Sequence, residues 1–197
     1  MKRLLYALVA CLVLALPAQA QDFEPYVGFG LGAFGVELKE SPNINQKNTV
    51  FGGYGKLGVD INDYVAAELR IGATGTGTTT YPAAVFGTGV PVDIKLQSSY
   101  FLSYLAKLKL PVNPDLRFYG LLGGTTAKFK TTAAVLGAAA SISKTKTGFS
   151  YGGGVEWRLD DQLTLGAEWA QYWTDVNLTN VDQARIWGAV GSLTASF

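Results

Sequence analysis

The chain has no histidine and one cysteine, Cys11, in 197 residues. Histidine is the commonest general base near neutral pH and the commonest metal ligand. Without it the usual hydrolase triads and most metal centres are excluded. A serine hydroxyl is inert without an adjacent base, so only a Lys-activated Ser or a pair of acids stays open for catalysis. Charge is also scarce, at 16% of residues against roughly 25% in an average soluble domain. Sixteen Lys and Arg nearly balance 15 Asp and Glu, with no basic block. That leaves no electrostatic footprint for nucleic acid. Nor does any apolar run reach the roughly 20 residues of a membrane-spanning helix.

The longest apolar run, from Leu4 to Leu16, follows the basic start Met1-Lys2-Arg3 and precedes Pro17-Ala18-Gln19-Ala20. This pattern predicts a secretory signal peptide, residues 1–20, cleaved after Ala20, with residues 21–197 as one domain. A lipoprotein box at Leu8-Val9-Ala10-Cys11 competes poorly, because it cuts the apolar stretch short. Cleavage removes Cys11, so stability has to come from backbone pairing or from the surroundings rather than disulfides.

What the chain does have is glycine (24 residues), aromatics (12%) and a period of two. Eight segments alternate. In 26–38, Val27, Phe29, Leu31 and Ala33 oppose Tyr26, Gly28, Gly30 and Gly32. In 50–61, Phe51, Leu57, Val59 and Ile61 oppose Tyr54, Lys56, Gly58 and Asp60. In 64–73, Val65, Ala67, Leu69 and Ile71 oppose Tyr64, Ala66, Glu68 and Arg70. In 99–110, Tyr100, Leu102, Tyr104, Leu108 and Leu110 oppose Ser99, Phe101, Ser103, Lys107 and Lys109. In 117–130, Tyr119, Leu121, Ala127 and Phe129 are read as the apolar face against Gly120, Gly124, Thr126 and Lys128. The last three segments, 148–159, 163–174 and 185–197, place Phe149, Tyr151, Trp157, Leu165, Trp169, Trp173 and Trp187 on the apolar side.

A soluble sandwich would show water a face rich in Lys, Glu and Asp. Here the polar face is mostly Gly, Ser and Thr, while the apolar face carries large side chains over a length that spans a bilayer at barrel tilt. The expected fold is therefore all-β, an eight-stranded antiparallel up-and-down transmembrane β-barrel. Its apolar face points outward, and its bore is narrow enough for side chains to fill. Connections alternate between long (39–49, 74–93, 131–146, 175–184) and short (62–63, 111–114, 160–162). Such parity matches barrels with short periplasmic turns and longer outer loops, and it puts both termini in the periplasm.

Inward charges form a candidate site: Lys56, Arg70, Lys107, Lys109 and Arg158 with Glu68, Glu156 and Glu168, and Asp60 near one end. Buried ions persist when paired, so a salt-bridged plug is favoured over a selective pore, which would carry an excess of one sign. Lys95, Lys128, Lys130, Lys144, Lys146 and Arg185 form a candidate basic outer rim, electrostatically suited to lipopolysaccharide phosphates. Gly30-Leu31-Gly32-Ala33-Phe34-Gly35 fits G-x-G-x-x-G, but neither the helix nor the acid of a dinucleotide site follows. No cofactor and no metal are expected.

With Tyr26-Val27-Gly28-Phe29-Gly30-Leu31-Gly32 after the signal peptide, Gly-rich alternating strands throughout and Gly191-Ser192-Leu193-Thr194-Ala195-Ser196-Phe197 at the end, the sequence resembles the small eight-stranded outer-membrane barrels of Gram-negative bacteria, of the OmpA transmembrane-domain or opacity type. The resemblance implies that Trp187, Leu193, Ala195 and Phe197 form the signal read by the barrel-assembly machinery, with Ala195 smaller than is common there. It also implies residence among outer-membrane lipid and lipopolysaccharide. The expected role is non-enzymatic: adhesion or envelope contacts through loops 74–93 and 131–146, with a host or envelope surface ligand; strands prolonged beyond the membrane and packed on each other are the other reading of those two charge-poor segments. A narrow channel for small solutes is the alternative.

Overall fold

Alternation sustained over ten or more residues lets each strand pair on both sides while one face meets a different medium from the other. The computed structural model describes residues 23–40, 44–83, 89–135, 138–173 and 183–197. The expected signal peptide lies outside the described residues. Among the described residues nine strands run in chain order: β1 (Glu24–Glu40), β2 (Ile44–Asn62), β3 (Val65–Thr74), β4 (Gly77–Tyr81), β5 (Val92–Pro111), β6 (Leu116–Val135), β7 (Ala138–Arg158), β8 (Leu163–Trp173) and β9 (Gln183–Ser196). β4 continues the line of β3 after a break at Gly75-Thr76, since both pair with β5, so the strands make eight staves. Every pairing is antiparallel. β1 pairs with β9, and β3 pairs with both β2 and β5, which closes the sheet into a barrel.

At one end the three connections are tight and share one device. The side-chain oxygen of Asn62 accepts the backbone N–H groups of Tyr64 and Val65, each at 2.8 Å. Asn113 does the same for Asp115 and Leu116, and Asp160 for Gln162 and Leu163. Such side chains supply the hydrogen bonds that a turning backbone cannot make to itself. The opposite end corrects the expected loops. Most of 39–49 is strand, as are 131–135 and 138–146, together with Gly77–Tyr81 and the start of β5. Within the expected loops, residues 41–43, 84–88, 136–137 and 175–182 lie outside the described ones. Thr-rich and β-branched segments favour the extended backbone, so the hairpins rise as strands beyond the apolar belt.

That belt is the outer surface. Phe29, Leu31, Phe51, Leu57, Ile71, Leu102, Tyr104, Leu108, Leu122, Trp157, Leu165 and Trp169 are all exposed. Near its upper edge Tyr151 stacks on Phe149 and meets Trp169 edge-on. Two face assignments need correcting. In β6 the inward side chains are Tyr119, Leu121, Ala127 and Phe129, all buried, while Phe118 and Leu122 point out. Register decides it, because Leu121 pairs with Lys107 and Ala127 with Phe101, both inward residues of β5. In β5 a bulge between Ser98 and Tyr100 turns Ser99 outward and keeps Ser98 inside.

Candidate functional site

The bore is filled in two layers. The lower layer is ionic and is built around Arg70 of β3, whose side chain is 1% exposed. Its guanidinium forks onto Glu168 of β8 across the bore, Nη1 to Oε1 at 2.5 Å and Nη2 to Oε2 at 2.7 Å, and its Nε donates to Glu68. A bidentate pair of this kind is among the strongest polar contacts in proteins. The hydroxyls of Tyr119, Tyr172 and Tyr54 also donate to Glu168, at 2.9, 3.3 and 3.5 Å, and the Tyr54 ring lies 4.6 Å from the guanidinium carbon. Glu68 takes a further bond from Tyr26 at 2.9 Å.

Nearer the tight-turn end, Lys107 donates to Glu156 at 2.5 Å and lies over the Tyr119 ring at 4.4 Å. Arg117 approaches the same carboxylate at 3.4 Å, and Lys109 pairs with Asp60 at 2.7 Å. Lys56 donates to Ser192 at 3.4 Å and has no ion pair among the described residues. This is the Ser–Lys contact that the sequence leaves open for catalysis, and both side chains are buried.

Seven of the eight expected lumen residues lie buried in the bore, as the Arg70–Glu68–Glu168 network, the Lys107–Glu156 and Lys109–Asp60 pairs, and Lys56 on Ser192. Arg158 does not. It has inward parity but sits exposed at the tight-turn rim, beside an opening of about 380 Å³ that is also lined by Glu24, Asp60, Asp63, Lys109 and Arg117. A second, smaller opening is lined by Lys107, Arg117, Glu156, Thr164 and Thr194.

Above the ionic layer lies an apolar one. Phe34, Phe101 and Tyr172 pack with ring centroids 5.4–6.0 Å apart, surrounded by Val36, Leu96, Ala127, Phe129, Ile186 and Val190. Sequence reasoning missed this aromatic layer and the tyrosines that satisfy the carboxylates. The glycines carried the signal. A Cβ on Gly30 would stand 2.6 Å from the Tyr54 ring, and one on Gly154 2.6 Å from the Tyr119 ring. Glycine is what allows a large ring to cross so narrow a bore.

The expected basic rim does not form one crown. Lys95, Lys128 and Lys130 lie together on the outer face of β5 and β6. Lys146 pairs with inward Ala127, so it belongs to the inner face of β7, and for Lys144 only the backbone is described. Arg185 stands on the far side, opposite Glu37, which also meets Lys47 at 3.7 Å. Of the C-terminal residues, Trp187, Leu193 and Ala195 have outward parity on β9, and the exposed Phe197 follows its end, its backbone N–H donating to the Pro25 carbonyl at 3.0 Å.

The profile of a family described as outer membrane protein beta-barrel domain matches residues 6–191. No curated protein matches the chain in sequence. Among solved structures, a major outer membrane protein from Thermus thermophilus is similar at 14% identity with a TM-score of 0.61, covering 89% of this chain and 99% of that one. Neisserial surface protein A follows at 15% identity and 0.58, covering 88% and 97%. The attachment invasion locus protein Ail of Yersinia pestis, solved with the heparin analogue sucrose octasulfate, is 17% identical with a TM-score of 0.54, covering 88% and 99%. At these identities the likeness is one of fold.

Proposed function

The chain belongs to the outer membrane protein beta-barrel domain family, and on that premise we propose that it is a non-enzymatic surface protein with a sealed lumen, acting through the strands that rise above its apolar belt. The tight turns and both termini face the periplasm, and the long hairpins face outside. The observation that carries this reading is the two-layer filling of the bore. An ionic plug lies under an aromatic seal, which leaves the projecting β4–β7 sheet as the part free to meet a partner. Similarity to a neisserial surface protein and to an attachment protein supports the same role.

A channel is the second reading, favoured by the opening of about 380 Å³ at the tight-turn end. The aromatic layer above it argues for a one-sided vestibule instead.

Replacing the hairpin ends 77–93 and 131–146 with short Gly-Ser links tests the role. The barrel should still fold, since its lower ladders are intact, and binding of intact cells to host cells or matrix should fall severalfold with solute permeability unchanged. Unchanged adhesion with reduced solute uptake would favour the channel.

The assembly signal is testable separately. Deleting Phe197 should lower the amount of folded barrel in the outer membrane without affecting export to the periplasm, as read by the mobility difference between unheated and boiled samples. Undiminished folded protein would remove the C-terminal run from that role.

A further inference from the structure

We propose that the outer face of β5 and β6, just above the apolar belt, is a binding site for the phosphate of an outer-leaflet lipid, with Lys95, Lys128 and Lys130 as its cationic ligands. Strand pairing assembles the site. Lys95 stands opposite Thr132 and Lys130 opposite Gln97, while Lys128 stands opposite Tyr100 at the top of the belt. Thr76, Lys95, Gln97, Lys130 and Thr132 line a shallow depression of about 110 Å³. The three lysines make no ion pair among the described residues. The nearest outward acid on the strand, Asp93, accepts the Thr80 hydroxyl at 2.6 Å.

The composition selects the ligand. Three ammonium groups with threonine hydroxyls and a carboxamide around them offer charge-assisted donors to a phosphate. The depression contains no carboxylate that would hold a bridging divalent cation, so the anion meets the lysines directly. Position selects the source. Lys128 shares its level with the exposed Tyr100, and directly below on the same two strands lie Leu102, Tyr104 and Leu122, all exposed. A phosphate attached to acyl chains resting on that surface is delivered to the lysines, whereas a soluble anion gains nothing from the belt. Lysines at such a boundary reach the headgroup level with their stems on apolar surface. Outer-facing phosphates of this kind belong to lipid A in a Gram-negative outer leaflet, so the site rests on the membrane placement proposed above.

The test uses the full barrel in nanodiscs, with lipid retention read by native mass spectrometry. Wild-type protein should retain bisphosphorylated lipid A at least tenfold better than its dephosphorylated form, and the variant carrying Lys95→Gln, Lys128→Gln and Lys130→Gln should lose that preference. Inorganic phosphate at millimolar concentration should not displace the lipid. Equal retention of both lipid forms by wild-type protein would overturn the site without recourse to any variant. Lysine-dependent capture of a soluble polysulfate with no preference between the lipids would overturn the lipid assignment. The difference in mobility between unheated and boiled protein, run alongside, separates these outcomes from failure of the barrel reading itself: a heat-modifiable barrel without the preference refutes the site alone.

Discussion

Replacing Glu168 with Ala should destabilise the folded barrel by about 3–5 kcal/mol, the usual cost of stripping one partner from a buried ion pair. Glu168 accepts both arms of the Arg70 guanidinium and the hydroxyls of Tyr54, Tyr119 and Tyr172. Its removal leaves a cation that is almost wholly enclosed, with Glu68 as its one remaining carboxylate partner beside the Tyr172 hydroxyl and the Tyr54 ring, and takes the shared acceptor from three hydroxyls. Glu168→Gln keeps the shape and half of the accepting geometry but removes the charge, so it should fall between wild type and Ala. Denaturant titration in vesicles, followed by tryptophan fluorescence, reads the difference. A Glu168→Ala barrel as stable as wild type would mean that water reaches Arg70 freely, and the plug would not be a plug.

The second large effect concerns the seal. Replacing Phe34 and Phe101 together with Ala should convert a closed barrel into one that passes ions. Both rings are buried in the apolar layer with Tyr172 between the ionic layer and the hairpin end. Each substitution also costs roughly 3–5 kcal/mol if the cavity does not collapse. Folding should therefore be checked first by gel mobility, with Phe101→Ala alone as the milder variant. Planar-bilayer recordings should then show current for the double variant and less for the single one. If Glu68→Ala or Glu156→Ala conducts while the aromatic variants stay closed, the barrier lies in the ionic layer alone.

How much of this was legible in the sequence depended on how unequal the two faces of each strand were. In β2, β3 and β7 a large apolar residue alternates with glycine or a charge, and the faces were readable. In β6 the doublets Phe118-Tyr119, Leu121-Leu122, Gly123-Gly124 and Thr125-Thr126 make both parities look alike. Only the register against β5 distinguishes them, and register is a long-range property. The bulge at Ser99 is likewise invisible without its partner strand. The projecting hairpins read as loops because they lack large apolar residues, although their threonines already favoured strand. The inward charges were legible by parity. Arg158 was misplaced because parity gives the face and not the height along the bore. Tyr26 and Tyr54 lay on the polar face in plain view, but that they would satisfy Glu68 and Glu168 emerged only once the strands were wrapped around a common axis.

The proposed seal of the lumen is tested most directly by recording from the wild-type barrel, refolded and inserted into a planar bilayer, in symmetrical salt under moderate voltage. The two filled layers predict no steady conductance above the bare membrane. A stable ohmic current in every inserted molecule, with a defined ion selectivity, would contradict the plug and make the protein a channel.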